Sequence, residues 1–138
     1  MNDSRSPSPG RPPQRFGASV RSALCGLWLA LRTERNLRLH GVAAIVAMAM
    51  LVWLGGTAAE WGVLILTITL VVATEVLNSS IERLVDLVSP DWNDQAGQVK
   101  DIAAGGVLLT ALASIAVGII LFGPKLWGLL QTWLASSG

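Results

Sequence analysis

The chain has 138 residues, 52% of them hydrophobic and 14% charged, with a mean hydropathy of +0.56, whereas an average soluble domain carries about 25% charged residues. That balance excludes an ordinary soluble fold, the length leaves no room for a dinucleotide fold or a nucleic-acid module, and the single cysteine, Cys25, excludes an intrachain disulfide or a zinc cluster. The net charge of +1 hides an asymmetry: seven of the ten Lys and Arg residues lie in the first 38 positions, against two acids, Asp3 and Glu34.

Residues 1–14 hold four of the six prolines together with Ser and Gly, and are expected to form a disordered tail. From Phe16 to Arg32 the apolar positions Phe16, Val20, Leu24, Leu27, Trp28 and Leu31 recur at steps of three and four, the pattern of an amphipathic helix lying in the membrane interface. Gly41 to Ala59 is uncharged over nineteen residues, close to the ~20 needed to cross the hydrocarbon layer. A turn around Gly55 and Gly56 follows, and a second span starts at Trp61. It continues helical past the apolar run into Glu75, Asn78, Glu82 and Asp86 until Ser89-Pro90 stops it. Ile102 to Pro124 is uncharged for 23 residues and makes the third span. Residues 125–138, with Trp127 and Trp133, suit a short interfacial segment. The expected fold class is therefore all-α and integral to the membrane: an amphipathic surface helix, then three transmembrane helices, in one domain over residues 15–124. The basic N-terminal arm, with Arg83 and Lys100 in or near the second loop, places both on the cytoplasmic side.

At 100° per residue Glu75, Asn78, Ser79, Glu82 and Asp86 share one face of the second span. Ionisable groups near membrane depth cost a few kcal/mol each and so pair, bind an ion or line a wet cavity. Lys100 and Asp101 begin the third span after Gly97, where free helix N–H groups favour a phosphate. The small residues from Ala103 to Gly106 would let that helix approach the acidic one closely. Two carboxylates on the helix, plus one from elsewhere such as Glu34, can hold a hard divalent cation, and Mg²⁺ with a nucleotide fits. Glu75, deeper toward the bilayer, is placed to take a proton from a lipid hydroxyl. Phosphoryl transfer to a lipid alcohol is one reading; a small channel or transporter subunit with intramembrane acids is the alternative. Taken alone, Glu34 reads as an ordinary surface ion-pair member among arginines, and Lys100 as an anchoring side chain that reaches the interface.

The segments T33-E34-R35-N36 with His40, E75-V-L-N78-S79-S80-I-E82-R-L-V-D86, and A96-G97-Q-V-K100-D101-I-A103-A104-G105 resemble the prokaryotic diacylglycerol kinase family, which includes undecaprenol kinases. The resemblance runs without gaps from about Arg15 to Phe122. It implies a homotrimer in the bacterial plasma membrane, with active sites partly shared between neighbours, using ATP and Mg²⁺ to phosphorylate a membrane lipid alcohol. By the same matching Glu75 is the proton acceptor, and Glu75, Asn78 and Ala104 meet the lipid. Glu34 and Glu82 bind the metal, and Lys100, Asp101, Asp91, Asn93 and Arg15 contact the nucleotide. His40 and the T-E-R-N run look more like the undecaprenol-phosphorylating branch than the diacylglycerol-specific one, so either lipid is a candidate acceptor.

Overall fold

The computed structural model of the chain describes residues 16–91 and 93–137; the expected N-terminal tail (residues 1–14) and Arg15 lie outside them. Four helices follow in order: α1 (Phe16–Thr33), α2 (Arg35–Trp53), α3 (Ala58–Val88) and α4 (Asp94–Ser136). No strand occurs among the described residues. Helices α2, α3 and α4 are each long and apolar enough to cross a membrane, as the hydropathy pattern predicts. Ile102, Leu109, Ile119 and Ile120 point outward, an arrangement suited to a solvent of lipid tails as apolar as the side chains themselves.

One residue separates α1 from α2. Glu34 takes extended backbone angles, φ −92 and ψ 117, and so breaks the helix without a longer loop. The carbonyl end of α1 is satisfied locally: the Thr33 hydroxyl bonds Leu29 O at 3.0 Å, and Arg38 Nη1 donates to Arg32 O at 2.9 Å. A cation at that end also opposes the helix dipole. Helix α2 begins six residues before the uncharged run at Gly41, because arginines near a helix end can carry their heads to water while the backbone stays helical.

The turn from α2 to α3 is built on two glycines with different tasks. Gly55 adopts φ +66, the left-handed region open to a residue without a Cβ. The N–H groups of Leu54, Gly55 and Gly56 close on the last carbonyls of α2. Gly56 lies against Leu51, so close that a Cβ there would sit 2.5 Å from Leu51 Cγ. Leu51 is fully buried and centres an apolar cluster with Leu64, Leu121 and Phe122. Gly56→Ala is therefore expected to cost about 1–3 kcal/mol by displacing Leu51. Thermal unfolding in detergent checks this, with Gly62→Ala, whose Cβ would meet nothing within 4 Å, as the neutral comparison. Thr57 and Glu60 then open α3 with reciprocal capping bonds of 3.3 and 2.7 Å. Lys125 of α4 pairs with Glu60 at 3.1 Å and reaches Gly55 O at 3.4 Å.

At the other end Ser89-Pro90 stops α3, as the proline predicts, and Asn93 caps α4 by accepting from Gln95 N at 2.8 Å and Ala96 N at 3.4 Å. Helix α4 departs from expectation: it passes through Pro124 and continues to Ser136 in one piece, where the sequence suggests a span ending at Pro124 and a separate helix beyond. The usual clash of a proline ring with the preceding Cβ is absent because residue 123 is glycine. Prolines are in any case better tolerated in membrane helices. At 1.5 Å per residue α4 is about 65 Å long, far beyond the ~30 Å hydrocarbon layer. It packs chiefly on α3, α2 also lies on α3, and α1 rests on α2 and α3.

Candidate active site

Along the α3 face that continues from Leu64 and Val71, the buried residues change character. Glu75 is 2% exposed, and Asn78 and Ser79 are buried with it. The apolar core thus gives way, within one turn, to a carboxylate and an amide. Ser79 Oγ bonds back to Glu75 O at 3.0 Å, a local bond that leaves the Glu75 carboxylate untouched. Asn78 Nδ2 donates to Glu82 Oε1 at 2.9 Å. Among the described residues two acceptors remain buried without a hydrogen-bond donor: Glu75 Oε2 and Asn78 Oδ1. An unmet buried acceptor costs about 1–3 kcal/mol, and these two atoms lie one helical step apart on the same stripe.

Two basic side chains make ion pairs near the charged end of the stripe. Lys100 of α4 makes a short ion pair with Asp86. Arg83 reaches the α1–α2 elbow, pairing with Glu34 Oε1 at 2.7 Å and bonding the Thr33 hydroxyl. The Arg83 hydrogen bond holds the Glu34 carboxyl below its usual range, against an opposing pull from partial burial, with the Thr33 hydrogen bond and the Arg83 charge adding to the lowering. Since the folded value lies below the unfolded one, the pair contributes stability at neutral pH. That contribution is lost as pH falls through the lowered value.

The structure brings Glu75, Asn78 and Glu82 onto one face, joins Glu34 to the residue next to Glu82, and carries Lys100 across from α4. Gly106 faces Thr74, where a Cβ would make ordinary contact at 3.7 Å, whereas Gly105 faces open space. Gly106 is thus the glycine of the small-residue run that lies against α3, and the space there would also take an alanine. Asp91, Asp101 and Ala104 are exposed, and the Asn93 side chain serves as the α4 cap. Arg83 was legible only as an orientation signal; its place directly after Glu82 was the available clue to more.

Among the described residues no three acidic, histidine or cysteine side chains converge as a metal cage. Magnesium does not require one, because it commonly uses one or two carboxylates and completes its shell with water and substrate phosphates. Glu82 and Glu34 supply hard oxygen donors of that kind, so they fit a metal that arrives with a nucleotide.

Fold and site together define a small multi-span α-helical membrane protein whose one buried acidic stripe runs from the apolar interior to a charged end. The prokaryotic diacylglycerol kinase family model matches residues 21–122. An undecaprenol kinase of Bacillus subtilis is 36% identical over 112 residues, covering 81% of this chain and 91% of that protein. A diacylglycerol kinase of Synechocystis is 43% identical over 116 residues, 81% of this chain and 65% of the relative. That of Escherichia coli K12 is 32% identical over 96 residues, 70% and 79% of the two chains. The chain belongs to the prokaryotic diacylglycerol kinase family. Of the two readings open from the residues alone, membership selects the kinase over the channel subunit.

Proposed function

We propose that this chain transfers the γ-phosphate of ATP to the primary hydroxyl of a membrane lipid alcohol. The observation that carries the reading is the buried Glu75 carboxylate, whose Oε2 has no donor, set beside the equally unpartnered Asn78 Oδ1. A lipid hydroxyl supplies the missing donor. Glu75 takes its proton as the hydroxyl oxygen bonds to the γ-phosphorus and the bond to the ADP oxygen breaks. Asn78, fixed by its bond to Glu82, offers its oxygen to orient the acceptor. Glu34 and Glu82 would hold Mg²⁺, which would neutralise charge on the phosphates. Lys100, drawn from Asp86, balances the transferring group.

Asp101, Asp91, Asn93 and Arg15 are assigned to the nucleotide by their match to the family pattern, and Ala104 to the lipid. The basic arm and the α3–α4 loop lie on the cytoplasmic side of the bacterial plasma membrane in this reading, supported by the charge bias. Three copies share their sites, an arrangement supported by the exposure of Asp101 and Ala104 in the single chain, where a neighbour can reach them. Diacylglycerol and undecaprenol present the same primary alcohol. The test is label transfer from γ-labelled ATP with Mg²⁺, to each lipid in mixed micelles. Label on either lipid supports the reading and names the acceptor; a folded protein that labels neither overturns it.

A further inference from the structure

The side chain of Arg83 does not belong to the stripe's own face. On α3 it follows Val76, Ser79 and Ser80, and with them lines a groove against Ala23, Gly26 and Ala30 of α1. Its side chain, 47% exposed, closes that groove at the elbow by reaching Glu34 Oε1 and the Thr33 hydroxyl. These two bonds are the described side-chain hydrogen bonds that join the elbow to α3. The Thr33 hydroxyl, whose one proton goes to Leu29 O or to Glu34, also lies 3.1 Å from the same Glu34 oxygen, while Oε2 takes part in no described hydrogen bond. Glu34 makes no helix-capping bond of its own. Without Arg83 its three side-chain torsions have nothing else on α3 to fix them.

We infer that Arg83 is a positioning residue: it pins the α1–α2 elbow to α3 and so fixes the Glu34 carboxylate beside the turn that carries Glu82, where the metal–nucleotide complex sits. The inference rests on the reading of Glu34 and Glu82 as the cation pair. A positive charge near a cation site also repels the cation, and the two effects oppose each other. Geometry outweighs repulsion here, because Arg83 is half in water and its charge is screened, whereas losing the partner that orients a metal ligand costs about 10–100-fold in affinity. The guanidinium suits the task better than an ammonium, since its planar fork serves the carboxylate and the hydroxyl at once.

The test is binding of Mn²⁺ with a non-hydrolysable ATP analogue, followed by electron paramagnetic resonance, in the full chain and in the variants R83A, R83K, E34Q and R83A/E34Q. R83A is expected to weaken Mn²⁺ by about tenfold and R83K to recover most of that loss. E34Q should weaken it at least as much, with the double variant no worse than E34Q alone. Full affinity in R83A alongside a weak E34Q overturns the positioning role. So does an additive loss in the double variant, which would mean that Arg83 acts on the nucleotide itself. Full affinity in E34Q removes the cation reading beneath it. A second readout is independent of metal: Cys25, the one cysteine in the chain, is exposed on α1 and takes a spin label outside the groove. Its motion should increase in R83A and return in R83K; unchanged motion in R83A shows that the elbow is not pinned and overturns the proposal.

Discussion

Glu75→Gln is expected to lower kcat by about 10²–10⁴-fold, the usual contribution of a positioned general base, while the affinity for MgATP stays within about twofold. Gln keeps the shape of the side chain and removes only the proton acceptor. The same change should raise stability. It replaces an unmet buried carboxylate oxygen by an N–H donor one helical step from the unpartnered Asn78 Oδ1, and i, i+3 neighbours on a helix can meet. A variant that is more heat-resistant and nearly inert is the signature of a group held in place for chemistry at a cost to the fold. Steady-state kinetics beside thermal unfolding checks both halves. Turnover within tenfold of the unchanged chain would remove Glu75 from the base role.

Lys100→Met is expected to reduce kcat/KM for ATP by about 10²–10³-fold, the range for losing a cation or donor aimed at a transferring group. Asp86→Asn provides the contrast. It frees Lys100 from its ion pair without removing the ammonium, so activity should stay within about threefold, the scale of a lost surface pair. If the two variants fall equally, the Lys100–Asp86 pair is a structural tie and Lys100 does not meet the phosphates. Methionine keeps the length of the stem, so lost packing alone is not what is measured.

The spans were legible because nineteen uncharged residues, or 23, admit few readings other than a membrane helix. The shared face of Glu75, Asn78 and Glu82 was legible because helical periodicity fixes angular position without any tertiary knowledge. The polar partners were not. Glu34 stands among Arg32, Arg35 and Arg38 in sequence but pairs with Arg83, some fifty positions away, and only the angle of the elbow decides that. Lys125 likewise pairs with Glu60, 65 positions before it, across the α2–α3 turn. Pro124 misled for a local reason: the preceding glycine removes the steric conflict that ordinarily ends a helix. The two unpartnered oxygens, the strongest sign of chemistry in the site, could not be read from any pattern, since they depend on what fails to pack against them.

The two ion pairs between α3 and α4 set a ruler. Glu60 and Asp86 lie about 39 Å apart along α3, and Lys125 and Lys100 about 38 Å apart along α4, at 1.5 Å per residue. The intervals match, and they approach the ~40–45 Å from headgroup to headgroup of a bilayer. A slide of one helix past the other by a single turn, 5.4 Å, would strand four charges at once. Both pairs form in a single register of α3 against α4, the one that sets the resting depth of Glu75. Glu75 stands 11 residues, roughly 16 Å, inward of Asp86 on that ruler, so a lipid hydroxyl that reaches it does so below the charged end.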